Sequence, residues 1–221
     1  TNNWSNVAVG YTSAAGISSN SLYTWASTYT NNSENGLGNA ELLSVSSPIQ
    51  VGTSSWSAVT TGNNFTLAIR TGGSLFSWGL NDNGQLGQGD QTNRGSPVQI
   101  GTSSWIAVAN KLASADAFAI RSDYKLFGWG QNGAGELGQG DLTSRYSPTI
   151  IGSSSWISVS SGVYSTVAIR SDGSLWSWGG NSSGELGVQN QTLYSSPVQV
   201  GTSSWIAVSM AGSYTSSSRN S

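Results

Sequence analysis

The chain has 221 residues, a formal net charge of −2 and only 8% charged residues, and it contains neither Cys nor His. Without these two residue types, disulfide staples, zinc–thiolate sites and nucleophilic catalysis of the Ser–His or Cys–His kind are excluded. The few Lys and Arg residues form no run, which disfavours nucleic-acid binding because few counterions would be released from a phosphate backbone, and no apolar run approaches the roughly 18 residues of a membrane span.

A block of about fifty residues recurs along the chain, and a period in this range is typical of solenoids, propellers and arrays. Clear copies open with a Trp and a short β-type run, at Trp56, Trp105, Trp156 and Trp205, and a degraded first copy opens at Trp4. We therefore predict one repeat domain over residues 1–221. Its units span approximately residues 4–55, 56–104, 105–155 and 156–204, with a partial fifth unit over 205–221.

Each unit predicts four short strands in the same order, as the fourth unit shows. Large and small residues alternate at 156–160, a second β-type run follows at 166–170, and Asp172–Gly173 readily supplies the positive φ angles of a tight hairpin turn. A third strand is predicted at 175–178 and a fourth at 197–200, which opens with a Pro, a residue suited to a strand start. No stretch has a sustained 3.6-residue apolar period, so helices are not predicted.

The predicted architecture follows from how such sheets bury their faces. A lone four-stranded sheet cannot bury both faces, whereas neighbouring sheets packed face to face can. Radial repetition of such sheets is a β-propeller, so we predict an all-β, propeller-type radial array of four-stranded antiparallel sheets, about four units plus a partial fifth, with about sixteen strands. The recurring Trp residues are predicted to form contacts between sheets: Trp56, Trp105, Trp156 and Trp205 from first strands, and Trp78, Trp129 and Trp178 from third strands.

Two pairs of opposite charge recur four residues apart, after the third strand of the second and third units. The pairs are Asp90 with Arg94 and Asp141 with Arg145, and in the fourth unit both slots are uncharged. Because both charges vanish together, we predict that each Asp–Arg couple is an ion pair that fixes its loop, with a structural role.

The third strand and the loop after it share a motif. In the second unit, Leu-Phe-Ser-Trp-Gly at 75–79 is followed by a Gly-x-Leu-Gly loop at 84–87, and matching segments begin at Leu126 and Leu175. This motif closely resembles the regulator-of-chromosome-condensation repeat, and the resemblance covers nearly the whole chain, most clearly residues 48–208. It implies a seven-bladed propeller, and it implies no single function, because one propeller fold hosts many activities.

The number of units departs from that family. Seven units would need roughly 350 residues at this period, whereas the chain holds four units and a partial fifth. Three explanations stay open: the chain is part of a larger one, several chains complete an assembly, or the ring closes with fewer units. Residues 205–209 are predicted to form a spare first strand, and polar residues at 216–218 replace an inward strand, as in an edge or capping segment, which favours assembly.

The third unit is where the repeat changes most. Residues 110–116 replace a short Gly-centred turn, and Asp123-Tyr124-Lys125 replaces the Asp-Gly-Ser turn of the fourth unit. Because loops on a rigid scaffold often carry function, this unit is predicted to bind a partner, and drift in a solvated loop is the alternative interpretation. The candidate partner-binding residues are Lys111, Asp116, Tyr124 and Lys125.

These observations favour a non-enzymatic function. The carboxylates occupy repeated slots or lack an evident partner, so no catalytic residue, metal site or cofactor is predicted. The leading hypothesis is a structural or adhesive module of a phage virion or bacterial cell surface, because the low-charge, Cys-free composition resembles such repeat proteins, and its partners would be further copies or other subunits. The alternatives are a regulatory protein-binding propeller, similar to the family's nucleotide-exchange factors or secreted enzyme inhibitors, and a lectin that binds glycans.

Overall fold

The computed structural model describes residues 3–26, 37–38, 45–110 and 114–210 of the chain. Within these ranges it contains fifteen β-strands, which pair antiparallel, and no helix. None of the described residues therefore belongs to a helix long and apolar enough to cross a membrane. The all-β prediction is confirmed.

The strands fall into four successive units that match the predicted repeats. The first unit contains β1 (Trp4–Val9), β2 (Ser13–Ser18), β3 (Ser21–Ala26) and β4 (Val45–Gln50). The second contains β5 (Trp56–Thr61), β6 (Phe65–Arg70), β7 (Ser74–Gly79) and the first part of β8 (Arg94–Ala109). The third contains the last part of β8, β9 (Asp116–Arg121), β10 (Leu126–Gly130) and β11 (Arg145–Ile150). The fourth contains β12 (Trp156–Ser161), β13 (Ser165–Arg170), β14 (Ser174–Gly179) and β15 (Tyr194–Ser204).

Strand β8 explains why fifteen strands are seen where about sixteen are predicted. Its first part pairs with β7, with Arg94 opposite Gly79, and its last part pairs with β9, with Trp105 opposite Arg121. One continuous strand is therefore the last strand of the second unit and the first strand of the third. The seven-stranded sheet that contains β8 is two four-stranded units that share this strand.

Most of the core lies between consecutive units, and a smaller cluster lies on the fourth unit alone. Leu67 of the second unit packs in one buried cluster with Trp105 and Trp129 of the third, and the small side chains of Ala117 and Ala119 belong to the same cluster. Equivalent clusters join the first unit to the second and the third to the fourth. The predicted contacts between sheets are confirmed for the buried residues Trp56, Trp78, Trp105, Trp129, Trp156 and Trp178.

The Gly-x-Leu-Gly loops at 84–87 and 135–138 are structural because each holds a Trp of the next unit. The carbonyl oxygen of Gln85 accepts a hydrogen bond from Trp129 Nε1 at 2.9 Å. Gly87 has a positive φ of 67°, and a Cβ at this position would come within 2.8 Å of Trp129 Nε1, which excludes other residues. Asn81 braces the loop, because its Oδ1 accepts a hydrogen bond from the Leu86 backbone nitrogen at 2.9 Å.

The loops are also closed by the predicted ion pairs, Asp90–Arg94 at 2.7 Å and Asp141–Arg145 at 2.6 Å. The hydrogen bond from Arg145 is the main reason why the pKa of the Asp141 carboxyl lies below its ordinary value. In the fourth unit the same two slots form a neutral hydrogen bond, from Asn190 Nδ2 to the Tyr194 hydroxyl, at 3.0 Å. Both charges are absent together in the fourth unit because a neutral hydrogen bond replaces the ion pair there.

The first unit presents an aromatic face that the described residues leave uncovered. Trp4 contacts Tyr23 and Trp25 at ring-centroid distances of 5.6 and 5.9 Å, as first-strand Trp residues do in the interior units. Here, however, Trp4 is 37% exposed. Val7 is 58% exposed, whereas its counterpart Val59 in the second unit is 4% exposed. The difference arises because no preceding unit packs on this face within the described ranges.

At the other end, the predicted spare strand at 205–209 is wrong. Residues 205–210 form no strand, Trp205 is 43% exposed, and Ile206 is 95% exposed, so the predicted inter-sheet contact of Trp205 is wrong as well. The physical reason is that a first strand pairs with the second strand of its own unit, and no such partner lies in the described part of the chain. Val208 and Met210 still pack against the aliphatic residues of the fourth unit. The predictions at 216–218, and those within 27–36 and 39–44 of the first loop, fall outside the described residues.

Apart from the pairing of strands within each sheet, the extensive contacts between strands join consecutive units. Strands β1 and β2 contact β5, strands β5 and β6 contact β8, and strands β8 and β9 contact β12. The described residues therefore build a series of four face-to-face units, and the closure of a ring stays a prediction.

Candidate functional site

The hairpin between β9 and β10 (residues 121–125, the β9–β10 hairpin) places an aromatic residue in a left-handed conformation, at a slot where the first unit has Asn20 with a φ of 63°. The fourth unit turns through Gly173, with a φ of 84°, whereas the third unit turns through Tyr124, with a φ of 65°. A side chain in this left-handed region costs roughly 1–2 kcal/mol, because Cβ comes close to the following carbonyl oxygen. Tyr124 is 49% exposed and so gains little from burial in return. An outlier of this kind at a surface turn is a reason to infer a function.

The hairpin is held in place at its base. The Tyr124 carbonyl oxygen accepts a hydrogen bond from the Trp156 backbone nitrogen at 2.8 Å, and the Lys125 ammonium donates to the carbonyl oxygen of Ser153. Lys125 is therefore engaged within the chain, and its predicted role as a partner-binding cation stays untested. The phenol of Tyr124 is presented by a turn that both neighbouring strands and the start of the fourth unit fix in place.

A bidentate ion pair closes the same hairpin. Arg121 Nε donates to Asp123 Oδ1 at 3.0 Å, and Arg121 Nη2 donates to Asp123 Oδ2 at 2.6 Å. The hydrogen bonds from Arg121 lower the pKa of the Asp123 carboxyl to about 2. In the fourth unit the equivalent carboxylate, Asp172, instead accepts from the backbone nitrogen and hydroxyl of Ser174. Lys125, which replaces that Ser in the third unit, keeps the backbone hydrogen bond to the carboxylate at 3.3 Å but has no hydroxyl to donate, and Asp123 also accepts from Arg121.

Stacks of Arg on aromatic rings recur in the units, and the sequence analysis did not predict them. Arg70 lies 4.0 Å from the Phe76 ring centroid and 5.3 Å from that of Trp56. Arg170 covers its two rings at 3.5 and 5.0 Å, whereas Arg121 lies over Phe127 alone, at 4.9 Å, within the described structure. The feature of the sequence that could have predicted these stacks is an Arg that recurs in register opposite each first-strand Trp.

The prediction that Asp116 contacts a partner is wrong, because its side chain is fully buried. It starts β9, in the inward slot that Phe65 occupies in the second unit. One carboxylate oxygen accepts from the Ser114 hydroxyl, and the other has no hydrogen-bond partner among the described residues. Burial raises the pKa of the Asp116 carboxyl well above its ordinary value, and the nearby Glu136 carboxyl raises it further. The fourth predicted residue, Lys111, lies outside the described residues.

The exposed features of the hairpin suit recognition better than bond chemistry. Arg121 and Asp123 neutralise each other in a bidentate pair, the Lys125 ammonium donates to a backbone carbonyl, and the prominent exposed group is a phenol. Among the described residues, no group of three or more Asp or Glu side chains is placed to hold a metal ion. An aromatic side chain with a polar tip on a rigid turn is the kind of group that anchors protein interfaces.

Solved structures share this fold. The chain is similar to human WBSCR16, with a TM-score of 0.76 and 19% identity over 90% of this chain and 52% of that one. It is also similar to yeast RCC1 (Prp20) in a complex with Kap60, with a TM-score of 0.77 and 19% identity over 91% of this chain and 49% of that one. At these identities the likeness shows the fold alone.

A sequence relative and the repeat itself give the family. Over 92 residues the chain is 32% identical to the probable E3 ubiquitin-protein ligase HERC3 of Homo sapiens, which is 41% of this chain and 9% of that protein. The chain thus spans about half the length of the solved structures and a small part of the ligase. The regulator of chromosome condensation (RCC1) repeat matches residues 72–109, 124–169 and 172–217, more than half of the chain. The chain therefore belongs to the RCC1 repeat family.

Proposed function

We propose that this chain is a non-enzymatic, protein-binding propeller module that presents the β9–β10 hairpin to its partner. The observation that carries the proposal is Tyr124, which is half exposed in a left-handed conformation on a turn fixed to the fourth unit. Backbone strain that gives no stability is retained where it serves function. The second and fourth units, which turn through Gly at this slot, show that the fold itself does not require it.

Relatives support a protein as the ligand. The similar yeast protein Prp20 is seen bound to Kap60, and its binding to Gsp1p and to histones is described with another structure of it. These partners belong to Prp20, and 19% identity does not transfer them. What we carry over to this chain is the class of ligand, a protein, which favours the regulatory protein-binding hypothesis over the virion or adhesive one.

Site-specific photo-crosslinking tests this proposal. A benzophenone amino acid replaces Tyr124 in the full chain, and a control chain carries it at Tyr164, an exposed residue just before β13 in the fourth unit. In cells that produce the chain, we expect a discrete protein adduct from position 124, at least severalfold stronger than from position 164. The absence of an adduct, equal adducts from both positions, or an adduct to saccharide alone would contradict the proposal.

A second candidate function, as a structural component of an assembly, is favoured by the exposed aromatic face of the first unit. Trp4 and Val7 are exposed there although the equivalent interior residues are buried, and large exposed apolar faces mark interaction sites. Adducts only between copies of the chain in the crosslinking experiment would favour this candidate. A location outside the cell, at a cell surface or in a virion, and the binding of a glycan both stay predictions.

A further inference from the structure

A groove of about 360 Å³ lies between the second and third units, and all the residues that line it are uncharged. Ile100, Trp105, Phe127 and Pro148 supply its apolar walls, and Gln88 and Ser147 supply polar groups. A volume near the lower end of the range for ligand pockets suits one or two side chains rather than an extended molecule.

Beside this groove, the Arg at the end of the second strand is held differently from its equivalents in the neighbouring units. In the second and fourth units the equivalent Arg lies over both rings of the aromatic pair, Trp56 with Phe76 and Trp156 with Trp176. In the third unit the bidentate pair with Asp123 draws Arg121 away, so that it covers Phe127 and not Trp105. The guanidinium that covers the other two aromatic pairs is therefore not among the residues that line this groove.

The lining selects an uncharged, aliphatic occupant. A charged group would be desolvated without a counter-charge, which is unfavourable. A sugar would need a free aromatic face, but Trp105 is buried and Phe127 lies beneath Arg121. Both side-chain hydrogens of Gln88 are donated, to Ser77 Oγ at 3.1 Å and Val98 O at 3.2 Å, so its carbonyl oxygen is the group left to accept a backbone N–H.

We propose that the groove receives an aliphatic side chain of the Leu, Ile or Met type from the protein partner, an inference that rests on the proposed function. The groove is continuous with the β9–β10 hairpin, because Arg121 of the hairpin stacks on Phe127 of the groove wall. A partner that contacts Tyr124 therefore also reaches the groove, because the stack of Arg121 on Phe127 connects the two. The hairpin presents the phenol, and the groove takes the apolar anchor.

The test uses a small probe and the full chain. Nitrogen-15 spectra follow the indole N–H of Trp105, which has no hydrogen-bond partner within the described structure, as N-acetyl-leucine amide is added. We expect a saturable shift at millimolar probe, and none with N-acetyl-glutamate amide or methyl glucoside. No shift with the leucine probe, or an equal or larger shift with the glucoside, would overturn the inference.

Two variants with matched controls locate the binding. Ser147→Trp fills the groove, and Ser196→Trp places the same bulk at the equivalent slot of the fourth unit, before its Pro. Asp123→Gly restores the residue that the second unit has in this slot and frees Arg121 to cover both rings, and Asp172→Gly is its control. We expect at least tenfold weaker binding of the leucine probe in S147W and D123G, and less than twofold change in S196W and D172G.

Equal losses of leucine-probe binding in the variants and their controls would overturn the groove assignment. If S147W does not fold, wild-type binding of the leucine probe in D123G would overturn it. The photo-crosslink from position 124, repeated in the S147W background, separates this inference from the proposed function because Ser147 lines the groove and lies outside the hairpin. We expect the adduct to weaken severalfold. An adduct of unchanged strength would overturn the groove as the partner's anchor and leave the hairpin as a protein-binding site.

Discussion

In the second unit the β6–β7 hairpin turns through two glycines, and Arg70 covers the aromatic rings at its base. In the third unit the same turn passes through Asp123 and Tyr124, and Arg121 is shared between an ion pair and a single ring. The two hairpins have the same strands on either side and the same contact with the following unit. The comparison shows that the turn is free to vary, because the Trp contacts and the Gly-x-Leu-Gly loops already define the fold.

The second and third units also differ at the inward-facing position that begins the second strand of each unit. Phe65 of the second unit is buried in the cluster that joins it to the third, whereas Asp116 places a carboxyl at the equivalent position. Burial of a charge without a full set of hydrogen bonds is unfavourable. The third unit is thus less favourably built than its neighbours in two places, the core slot and the hairpin.

The largest expected effect separates the interior of the array from its end. Trp156→Ala should lower the free energy of unfolding by about 3–5 kcal/mol, because a buried Trp leaves a cavity. Trp205→Ala should change it by less than about 0.5 kcal/mol, because its ring is largely exposed and outside any strand. Urea unfolding followed by circular dichroism measures both. Equal losses would show that the two Trp slots are not structurally different.

The second effect concerns the buried carboxyl of the third unit. Because the folded pKa of Asp116 is raised, its contribution to stability is fully present below the unfolded pKa and is lost as the pH rises through the folded pKa. Asp116→Asn should therefore stabilise the chain at pH 7, by about 1–3 kcal/mol if the unpartnered oxygen carries its full desolvation penalty. The gain should vanish near pH 3.

Asp90→Asn is the matched control for this pH dependence. The folded pKa of Asp90 is lowered, mainly by a hydrogen bond from the Thr92 backbone and then by Arg94. Its contribution to stability is therefore present above the unfolded pKa and is lost as the pH falls through the folded pKa. At pH 7, the free energy of unfolding should therefore rise in Asp116→Asn and fall in Asp90→Asn. The same sign for both would contradict the burial of an unsatisfied carboxyl at residue 116.

A smaller effect is expected at the hairpin tip. Tyr124→Gly should raise stability by about 0.5–1 kcal/mol, because Gly adopts a positive φ without the Cβ clash and the gain is partly offset by its larger unfolded-state entropy. The reverse change at the same slot of the fourth unit, Gly173→Tyr, should lower stability by a similar amount. Thermal unfolding of the two variants checks this, and a loss of stability in Y124G would show that the phenol packs usefully in the free chain.

The smallest effect is expected for the loop ion pair. Asp141→Ala should leave the urea midpoint almost unchanged, because the carboxylate is solvated and exposed ion pairs contribute little. The neutral contact between Asn190 and Tyr194 in the fourth unit shows that the loop does not need the charges. A midpoint shift as large as that of Trp156→Ala would overturn this assignment.

The sequence predicts the fold well because repetition reveals which residues serve the unit. The strands, the interior Trp contacts and the Asp–Arg pairs all follow from slots that recur. The continuity of β8 could not be predicted, because Gly101 has a φ of 53°, close to that of Gly152 in the equivalent turn, and only the pairing with both β7 and β9 makes the segment one strand. The first strand at 205–209 fails because a strand needs a pairing partner, which an isolated segment does not reveal.

The candidate site is predicted only in part, because its geometry depends on side-chain competition. Tyr124 is half exposed, and its role as a partner-binding residue stays a prediction, whereas the burial of Asp116 could have been inferred from its alignment with Phe65. Arg121 covers one ring and not two because it also binds Asp123. A choice between two favourable contacts for one guanidinium is set by the local geometry and not by residue type.

One measurement tests most directly whether the third unit exchanges stability for binding. The double substitution Tyr124→Gly with Lys125→Ser gives the third unit the Asp-Gly-Ser turn of the fourth, and the dissociation constant for the protein identified by crosslinking is measured beside the urea midpoint. We predict binding at least tenfold weaker with a midpoint that is unchanged or higher. Unchanged binding, or a fall in the midpoint that accounts for the weaker binding, would contradict the claim that this hairpin is a binding surface added to a structural repeat.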